Sequence, residues 1–337
     1  MVKKILFILL ISSTGLKAQD IHFTQWMFSP LNLNPGETGR FDGDYRIVGN
    51  FRSQWAAIME KQYKTFGVSY DRNFKLYNQE VSAGITFAND RSSIGDLMQN
   101  KLQVSGGYNK QIKKSRLSFG VQLGLLHKGI DPNAYSYPVQ WDEDKGEFSN
   151  AIGIGNGEVF SQTNDYMFDL NFGVGLGHQF GDKFYPEIGL SWFHVNTPEE
   201  SFLGNDNNLP LRHVYNLKLN YKFSDKIVIA PNALYMYQIK GQDLVLGALV
   251  KMEVQDKKTK IDQVFAGINY RDGFNRNYDA INLIIGAKRQ EWQVGISYDI
   301  NVSDLSSVTH YRGAFELSII YIAKSSEPSI FIVPCDL

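Results

Sequence analysis

The sequence predicts an all-β protein, a transmembrane antiparallel outer-membrane β-barrel of about 14 strands. Three observations support this prediction: segments of strand length in which apolar and polar residues alternate, an even number of such segments, and connections that are sorted by length. The composition agrees, because 22 Phe, 18 Tyr and 30 Gly suit many strands with close backbone approaches. A net charge of −1 gives no electrostatic reason to expect a nucleic-acid partner.

The first residues have the pattern of a secretory signal. Two lysines precede an apolar run from Ile5 to Ile11, and small and polar residues follow it. This order predicts a signal peptide over 1–18, with cleavage near Ala18. The apolar run is shorter than the roughly 20 residues that a membrane-spanning helix needs, so a membrane form of this protein has to be a barrel.

The segment from Tyr215 to Phe223 shows the alternation of side chains most clearly. Successive side chains of a strand point to opposite faces, so one face is aromatic and aliphatic while the other is polar and cationic. We expect the apolar face to contact lipid and the polar face to line the lumen. The predicted lumen face includes Asn216, Lys218, Asn220, Lys222, Lys251 and Lys288.

Similar segments recur through 45–322 and define the predicted barrel. Each is about ten residues long, as a transmembrane strand requires. They begin near Tyr45, Tyr63, Glu80, Lys101, Arg116, Tyr166, Phe184, Arg212, Ile227, Asp243, Ile261, Asp279, Glu291 and Gly313.

The connections between these segments alternate between short and long. Short connections occupy 113–116, 181–183, 224–226 and 289–291, and long ones occupy 127–165, 196–211, 272–278 and 301–312. Bacterial barrels have short periplasmic turns and long extracellular loops, which explains this order. The short connection at 240–242 is an exception, because a long loop is expected there. A soluble β-sandwich is the alternative fold, since it would show the same alternation with its apolar faces buried.

Two segments lie outside the predicted strands, namely 19–44 and the C-terminal tail 323–337. The first is too rich in turn-forming residues for a strand. The lumen of a barrel of this size holds more than side chains, so we expect one or both segments to fold into it as a plug.

Catalytic and ligand-binding motifs are weak in this sequence. The six histidines form no ligand pair of metal-site spacing, and the glycine-rich stretches lack the lysine of a phosphate-binding loop. Asp142 and Asp144 lie in an acidic loop that could hold Ca²⁺, although a solvated loop is the expected reading. Ser306 or Ser307 could act with His310 as a nucleophile and its base, but the sequence has no nucleophile elbow. We therefore expect no enzyme activity and no cofactor.

The longest connection contains candidate partner-binding residues. Tyr135, Tyr137 and Trp141 surround a proline in it. Loops longer than about 15 residues are usually functional or disordered, and Tyr and Trp are common anchors of protein interfaces. The alternative is that these aromatic residues pack inward over the barrel mouth.

The N-terminal segment and first strand carry a family resemblance. "QDIHFTQW", "NPGETG" and "FRSQW" resemble the start of the PorP/SprF family of type IX secretion system outer-membrane proteins. Further segments of the mature chain look like the family in the same order. The residues that match the family pattern also include Gln19, Asp20 and Thr24. The nine that we regard as family-motif and plug candidates are Phe23, Gln25, Trp26, Asn34, Pro35, Gly39, Arg52, Gln54 and Trp55.

The resemblance implies a function that strand spacing alone does not. It implies an integral outer-membrane barrel that acts beside the type IX secretion machinery. Such a barrel is needed for the secretion or surface attachment of a cognate cargo with a C-terminal sorting domain, an adhesin-like protein in some cases and linked to gliding motility. An outer-membrane porin or small-solute channel is the alternative, because the polar lumen face would suit small anions.

Overall fold

The structure is a computed structural model, and it describes residues 21–56, 62–77, 79–92, 97–131, 140–143, 145–148, 162–202, 207–239, 241–254, 260–274 and 278–324. Fourteen strands form one closed barrel in which every neighbouring pair is antiparallel. The predicted strand number is therefore confirmed, and each predicted start lies within three residues of an observed one. The barrel strands are β1 Tyr45–Gln54, β2 Tyr63–Leu76, β3 Gln79–Arg91, β4 Met98–Ile112, β5 Ser115–Gly129, β8 Asn164–His178, β9 Phe184–Phe193, β10 Arg212–Lys222, β11 Ile227–Gln238, β12 Gly241–Glu253, β13 Gln263–Asp272, β14 Tyr278–Arg289, β15 Trp292–Asn301 and β16 Arg312–Ile322. Between β5 and β8, the short strands β6 Trp141–Asp142 and β7 Glu147–Phe148 form a separate two-stranded sheet.

The first and last strands close the barrel. β1 pairs with β16 in a continuous register from Arg46↔Ile322 to Gln54↔Ala314. A closed sheet has no free edge along this seam, which is the condition for placing strands in lipid. Among the described residues, no helix is long and apolar enough to cross a bilayer.

The two faces of the wall are inverted relative to a soluble protein. On β10, Tyr215 is 40% exposed on the outside, whereas Asn216 and Lys218 are 4% and 7% exposed on the inside. Apolar residues on the outside of a closed barrel face lipid, and polar residues face the lumen. The alternative of a soluble β-sandwich is therefore wrong. A sandwich buries the apolar faces of two sheets, whereas this single closed sheet encloses its polar face.

The barrel has a turn end and a loop end. Connections such as 113–114 and 290–291 lie at the turn end, and 130–163, 194–211 and 302–311 lie at the loop end. Two connections depart from this order in length: 254–262 is long for the turn end, and only residues 239–240 join β11 to β12 at the loop end, as the sequence indicated. By the rule for outer-membrane barrels, the loop end faces the cell exterior.

The N-terminal segment lies inside the barrel. We call residues 21–44 the plug. It contains a 3-10 turn Trp26–Phe28, one helical turn Pro30–Leu33 and a second 3-10 turn Pro35–Glu37. Prolines begin the last two turns because a first helical position needs no backbone N–H. These turns keep the segment compact enough to fit the lumen.

The plug runs from the loop end to the turn end. Its first residues contact β16 and β15 near their loop-end residues Glu316 and Asp299. At the other end, the Asp44 N–H donates to Ala323 beside the start of β1. The tail beyond residue 324 falls outside the described residues, as does the segment before residue 21, which includes the signal peptide and the cleavage position near Ala18.

The lumen also contains a hydrophobic cluster. Buried apolar side chains of the plug, of β9–β14, of β1 and of β16 pack together in it. Its members are Trp26, Met27, Phe28, Leu33, Val48, Phe193, Val214, Ala230, Leu234, Met236, Val245, Leu249, Phe265, Ile284 and Ile320. The lumen thus holds a hydrophobic core in addition to its polar network.

Candidate functional site

At the loop end, the plug is held by a buried carboxylate. The backbone N–H groups of Thr24 and Gln25 donate to the two oxygens of Glu316 at 2.7 and 2.8 Å. Arg52 donates to the same carboxylate and to the Thr24 hydroxyl. These groups are almost fully buried, so they need hydrogen-bond partners within the protein, and they supply them to one another.

A second carboxylate extends this network across the sheet. Asp299 accepts hydrogen bonds from Arg52 at 3.1 Å and from Asn282 at 2.7 Å, and forms an ion pair with Arg271 at 3.1 Å. Arg271 also pairs with Asp279 at 2.5 Å. This loop-end anchor therefore joins the plug to β1, β13, β14, β15 and β16.

The middle of the plug rests on glycines of the wall. Asn34 caps the second 3-10 turn by accepting from the Gly36 N–H at 2.7 Å, and its amide donates to the Val174 carbonyl at 3.0 Å. A Cβ at Gly120 would overlap the Pro35 carbonyl, and one at Gly173 would overlap the Asn34 side chain. Only glycine leaves room for this turn, which explains the glycine-rich stretch in β8.

The turn-end anchor is built around a left-handed glycine. Gly39 has φ 71° and donates its N–H to Asp71 at 2.8 Å. Arg46 binds the same carboxylate through two hydrogen bonds of 3.0 and 2.8 Å. Close by, Arg40 pairs with Glu187 of β9 at 2.7 Å. The plug therefore ends against β1, β2 and β9.

Aromatic side chains fill the space between the loop-end anchor and the glycines. Phe28 stacks on Phe265 with ring centroids 5.5 Å apart. The Lys218 ammonium lies 5.9 Å from the Trp26 ring centroid, and a Cβ at Gly67 would meet the Phe23 ring at 3.2 Å. The stacking and burial of these large aromatic side chains favour one defined position of the plug in the lumen.

The nine family-motif candidates lie along the plug and at the loop end of β1. Phe23, Gln25, Trp26, Asn34, Pro35 and Gly39 are buried on the plug, and Arg52 and Gln54 lie next to one another on β1 with a hydrogen bond of 3.1 Å. Trp55 follows β1, with its ring 5.9 Å from that of Tyr63. Sequence reasoning grouped these residues by resemblance alone and missed their wall partners Glu316, Asp299 and Asp71. The sequence could have indicated these partners, because they are charged residues on a predicted lumen face.

Among the described residues, the plug has a cavity at each of its ends. A cavity of about 420 Å³ at the loop end is lined by residues that include His22, Gln54, Trp55 and Asp90. A cavity of about 70 Å³ lies near the turn end beside Phe41 and Tyr185. The aromatic residues and the glycine-packed turn occupy the lumen between them.

The long loop 130–163 is described only in part. Tyr135 and Tyr137 lie outside the described residues. Trp141 lies in β6 and is 45% exposed. In the same hairpin, Asp142 pairs with Lys145 at 3.2 Å, and Asp144 is outside the described residues.

A buried histidine pairs with a carboxylate elsewhere in the lumen. His194, which follows β9, contacts Asp169 at 2.8 Å, and burial lowers the pKa of His194 below its ordinary value. This histidine lies inside the barrel, whereas His127 stacks on Tyr166 at the loop-end rim. Within the described residues, no group of His, Cys, Asp or Glu has the arrangement of a metal site.

Comparison with known families identifies the chain by its sequence. The family model described as type IX secretion system membrane protein PorP/SprF matches residues 15–321, which include the whole plug and nearly the whole barrel. The chain belongs to the PorP/SprF family. Membership and fold together place this PorP/SprF protein in the outer membrane and give it a role in type IX secretion. No curated protein matches the chain.

Solved structures similar to this PorP/SprF protein are outer-membrane barrels. A deletion mutant of the TodX monoaromatic hydrocarbon channel has 10% identity and a TM-score of 0.51, covering 91% of this chain and 96% of that one. The CymD monoaromatic hydrocarbon channel has 10% identity and a TM-score of 0.50, covering 93% and 96%. At this identity, the likeness shows the fold alone.

Proposed function

We propose that this barrel serves a cognate type IX cargo protein by binding its C-terminal sorting domain at the loop end. In this role it supports secretion of the cargo or its attachment to the cell surface. An adhesin-like cargo, including one used in gliding motility, is the class that the family resemblance favours. The barrel acts by binding and has no catalytic role.

The occupied lumen is the observation that carries this proposal. The plug is fixed at the loop end by Glu316, in the middle by Gly120 and Gly173, and at the turn end by Asp71. A lumen filled in this way favours a docking scaffold over a passage for solutes. The contact surface for a cargo is then the loop end, where the long connections lie.

The lumen lysines favour the same conclusion over a porin. An anion channel needs cationic side chains that face open water. Lys218 instead lies over Trp26, and Lys251 is 3% exposed and lies 3.4 Å from Asn220. The porin alternative therefore requires the plug to leave the lumen.

Purification from the native outer membrane tests the proposal. The tagged barrel is solubilised in detergent, captured and analysed by mass spectrometry. We expect one secreted protein with a C-terminal sorting domain, together with type IX components. Recovery of the barrel without either would contradict the proposed role.

The aromatic residues of the long loop give a more specific prediction. Replacing Tyr135, Tyr137 and Trp141 with Ala should reduce cargo capture by about tenfold or more, because interface anchors of this type each contribute about 1–2 kcal/mol or more. Insertion of the barrel should not change. The control is Tyr77→Ala at the turn end, where the side chain is 93% exposed. Unchanged capture in the triple variant would exclude this loop as the contact.

A further inference from the structure

Two cations lie directly opposite one another on the outer face of the barrel. Lys64 of β2 pairs with Arg91 of β3 in the register of the β2–β3 ladder. Both side chains are exposed, and both residues lie where their strands reach the loop end. Side chains in this position have Cβ atoms about 5 Å apart, so like charges repel each other. The wall therefore concentrates positive charge at this point.

No carboxylate neutralises this pair in the part of the chain that the structure describes. Arg91 contacts the Met98 sulfur at 3.8 Å. Asp90 is adjacent in sequence but points into the lumen, where it lines the loop-end cavity and accepts from the Thr65 hydroxyl at 2.5 Å. The unbalanced charge of the pair points to an anion from outside the chain.

A row of polar side chains on the outer face shows where the apolar surface ends. Asn89, Asn100 and His127 lie opposite one another on β3, β4 and β5. The Asn89 amide donates to the Asn100 oxygen at 2.7 Å, and the Asn100 nitrogen lies 3.0 Å from His127 Nδ1. Polar side chains on the lipid face are costly at mid-bilayer and tolerated near its interfaces. Because Arg91 lies two residues beyond Asn89 toward the loop end, the cations are at the level of the lipid headgroups.

Apolar side chains continue the same face from the cations toward the middle of the wall. Phe66 of β2 is 45% exposed and Phe87 of β3 is 36% exposed, both on the outer face. Phe66 is two residues from Lys64, and Phe87 is four residues from Arg91. A small anion would contact only the cations, whereas a phosphorylated lipid would contact both parts of this surface.

The neighbouring part of the rim has a different chemistry. The cross-strand row that contains Lys64 continues through Ser53 on β1, Phe315 on β16 and Tyr298 on β15. Phe315 and Tyr298 are exposed on the outer face, as in the aromatic girdles of other barrels. The pair of cations is therefore a local feature of β2 and β3.

We propose that Lys64 and Arg91 bind the phosphate group of an outer-leaflet lipid, whose acyl chains lie along Phe66 and Phe87. The lipid belongs to the outer leaflet because the loop end faces the cell exterior. The Arg91 guanidinium presents a planar fork that matches two phosphate oxygens, and the Lys64 ammonium adds a compact charge. The bound anion also removes the repulsion between the two cations. This contact with the membrane is independent of cargo binding.

The effect of lipid on the stability of the purified barrel tests this site. The urea midpoint is measured in neutral detergent without lipid and over a range of diphosphoryl lipid A concentrations. A ligand that binds only the folded state raises the midpoint. For the Lys64→Gln/Arg91→Gln variant, the lipid A concentration that gives half of the rise should increase about tenfold or more. Without lipid, this variant should be at least as stable as the wild type, because the two cations no longer repel each other.

A matched variant at the opposite end is the control. Lys113→Gln/Lys114→Gln removes the same charge from exposed lysines at the turn end and should respond to lipid A as the wild type does. Lys64→Arg keeps both charges of the site and should also respond fully. An equal lipid effect in the wild type and the Lys64→Gln/Arg91→Gln variant would overturn the inference. An equal loss in the turn-end variant would overturn it as well, since it would show an unspecific effect of charge.

Inorganic phosphate distinguishes a lipid from a free ion. Phosphate stabilises folded proteins in general by its exclusion from their surfaces, so only the difference between two proteins is informative. We expect excess inorganic phosphate to raise the midpoints of the wild type and the Lys64→Gln/Arg91→Gln variant equally. A difference as large as the one that lipid A produces would show that the ion alone fills the site, and would overturn the lipid as its ligand.

Discussion

Single glycines decide whether the plug fits its barrel. The wall approaches the Asn34–Gly36 turn so closely that a methyl group at Gly120 would overlap the Pro35 backbone. The sequence does not indicate what lies against Gly120, because Pro35 and Gly120 are distant in sequence.

Adding one methyl group at this contact should loosen the plug. Gly120→Ala is expected to destabilise the folded barrel by about 1–3 kcal/mol, as overpacking does in other cores. The measurement is the urea midpoint of the purified barrel in detergent. Gly106→Ala on β4 is the control, because its Cβ would meet no atom within 4 Å. An equal midpoint for both variants would show that the turn does not rest on Gly120.

At the scale of elements, the strands were predictable and the path of the plug was not. β10 follows from period-two alternation, which is a local property of its own residues. The contact between Gln25 and Glu316 joins positions 291 residues apart, and no local pattern encodes it. The lumen face also contains Val214, Leu234 and Leu249. The expectation that polar residues line the lumen does not predict these apolar side chains.

The loop-end anchor should behave as one unit. Glu316→Ala leaves Arg52 without one of its carboxylates and frees the N–H groups of Thr24 and Gln25, so the folded barrel should lose about 3–5 kcal/mol. Equilibrium unfolding in urea measures the loss. Glu291→Ala removes the partner of exposed Lys324 and should leave stability unchanged. A similarly small effect at Glu316 would mean that the anchor does not hold the plug.

At the scale of the whole molecule, the barrel combines a lipid-facing wall with a filled interior. The wall has the closed-barrel fold that its structural neighbours share. The plug joins different sides of this wall through its loop-end anchor, its glycine-packed turn and its turn-end anchor. This combination suits a barrel that holds a protein partner beside a secretion machine.

Ion conductance in planar bilayers tests the occluded lumen most directly. The wild-type barrel should conduct little, because the plug spans the lumen from the loop end to the turn end. A variant that lacks Gln19–Asp44 should insert and conduct strongly. Equal, large conductance from both proteins would contradict the account and favour the porin.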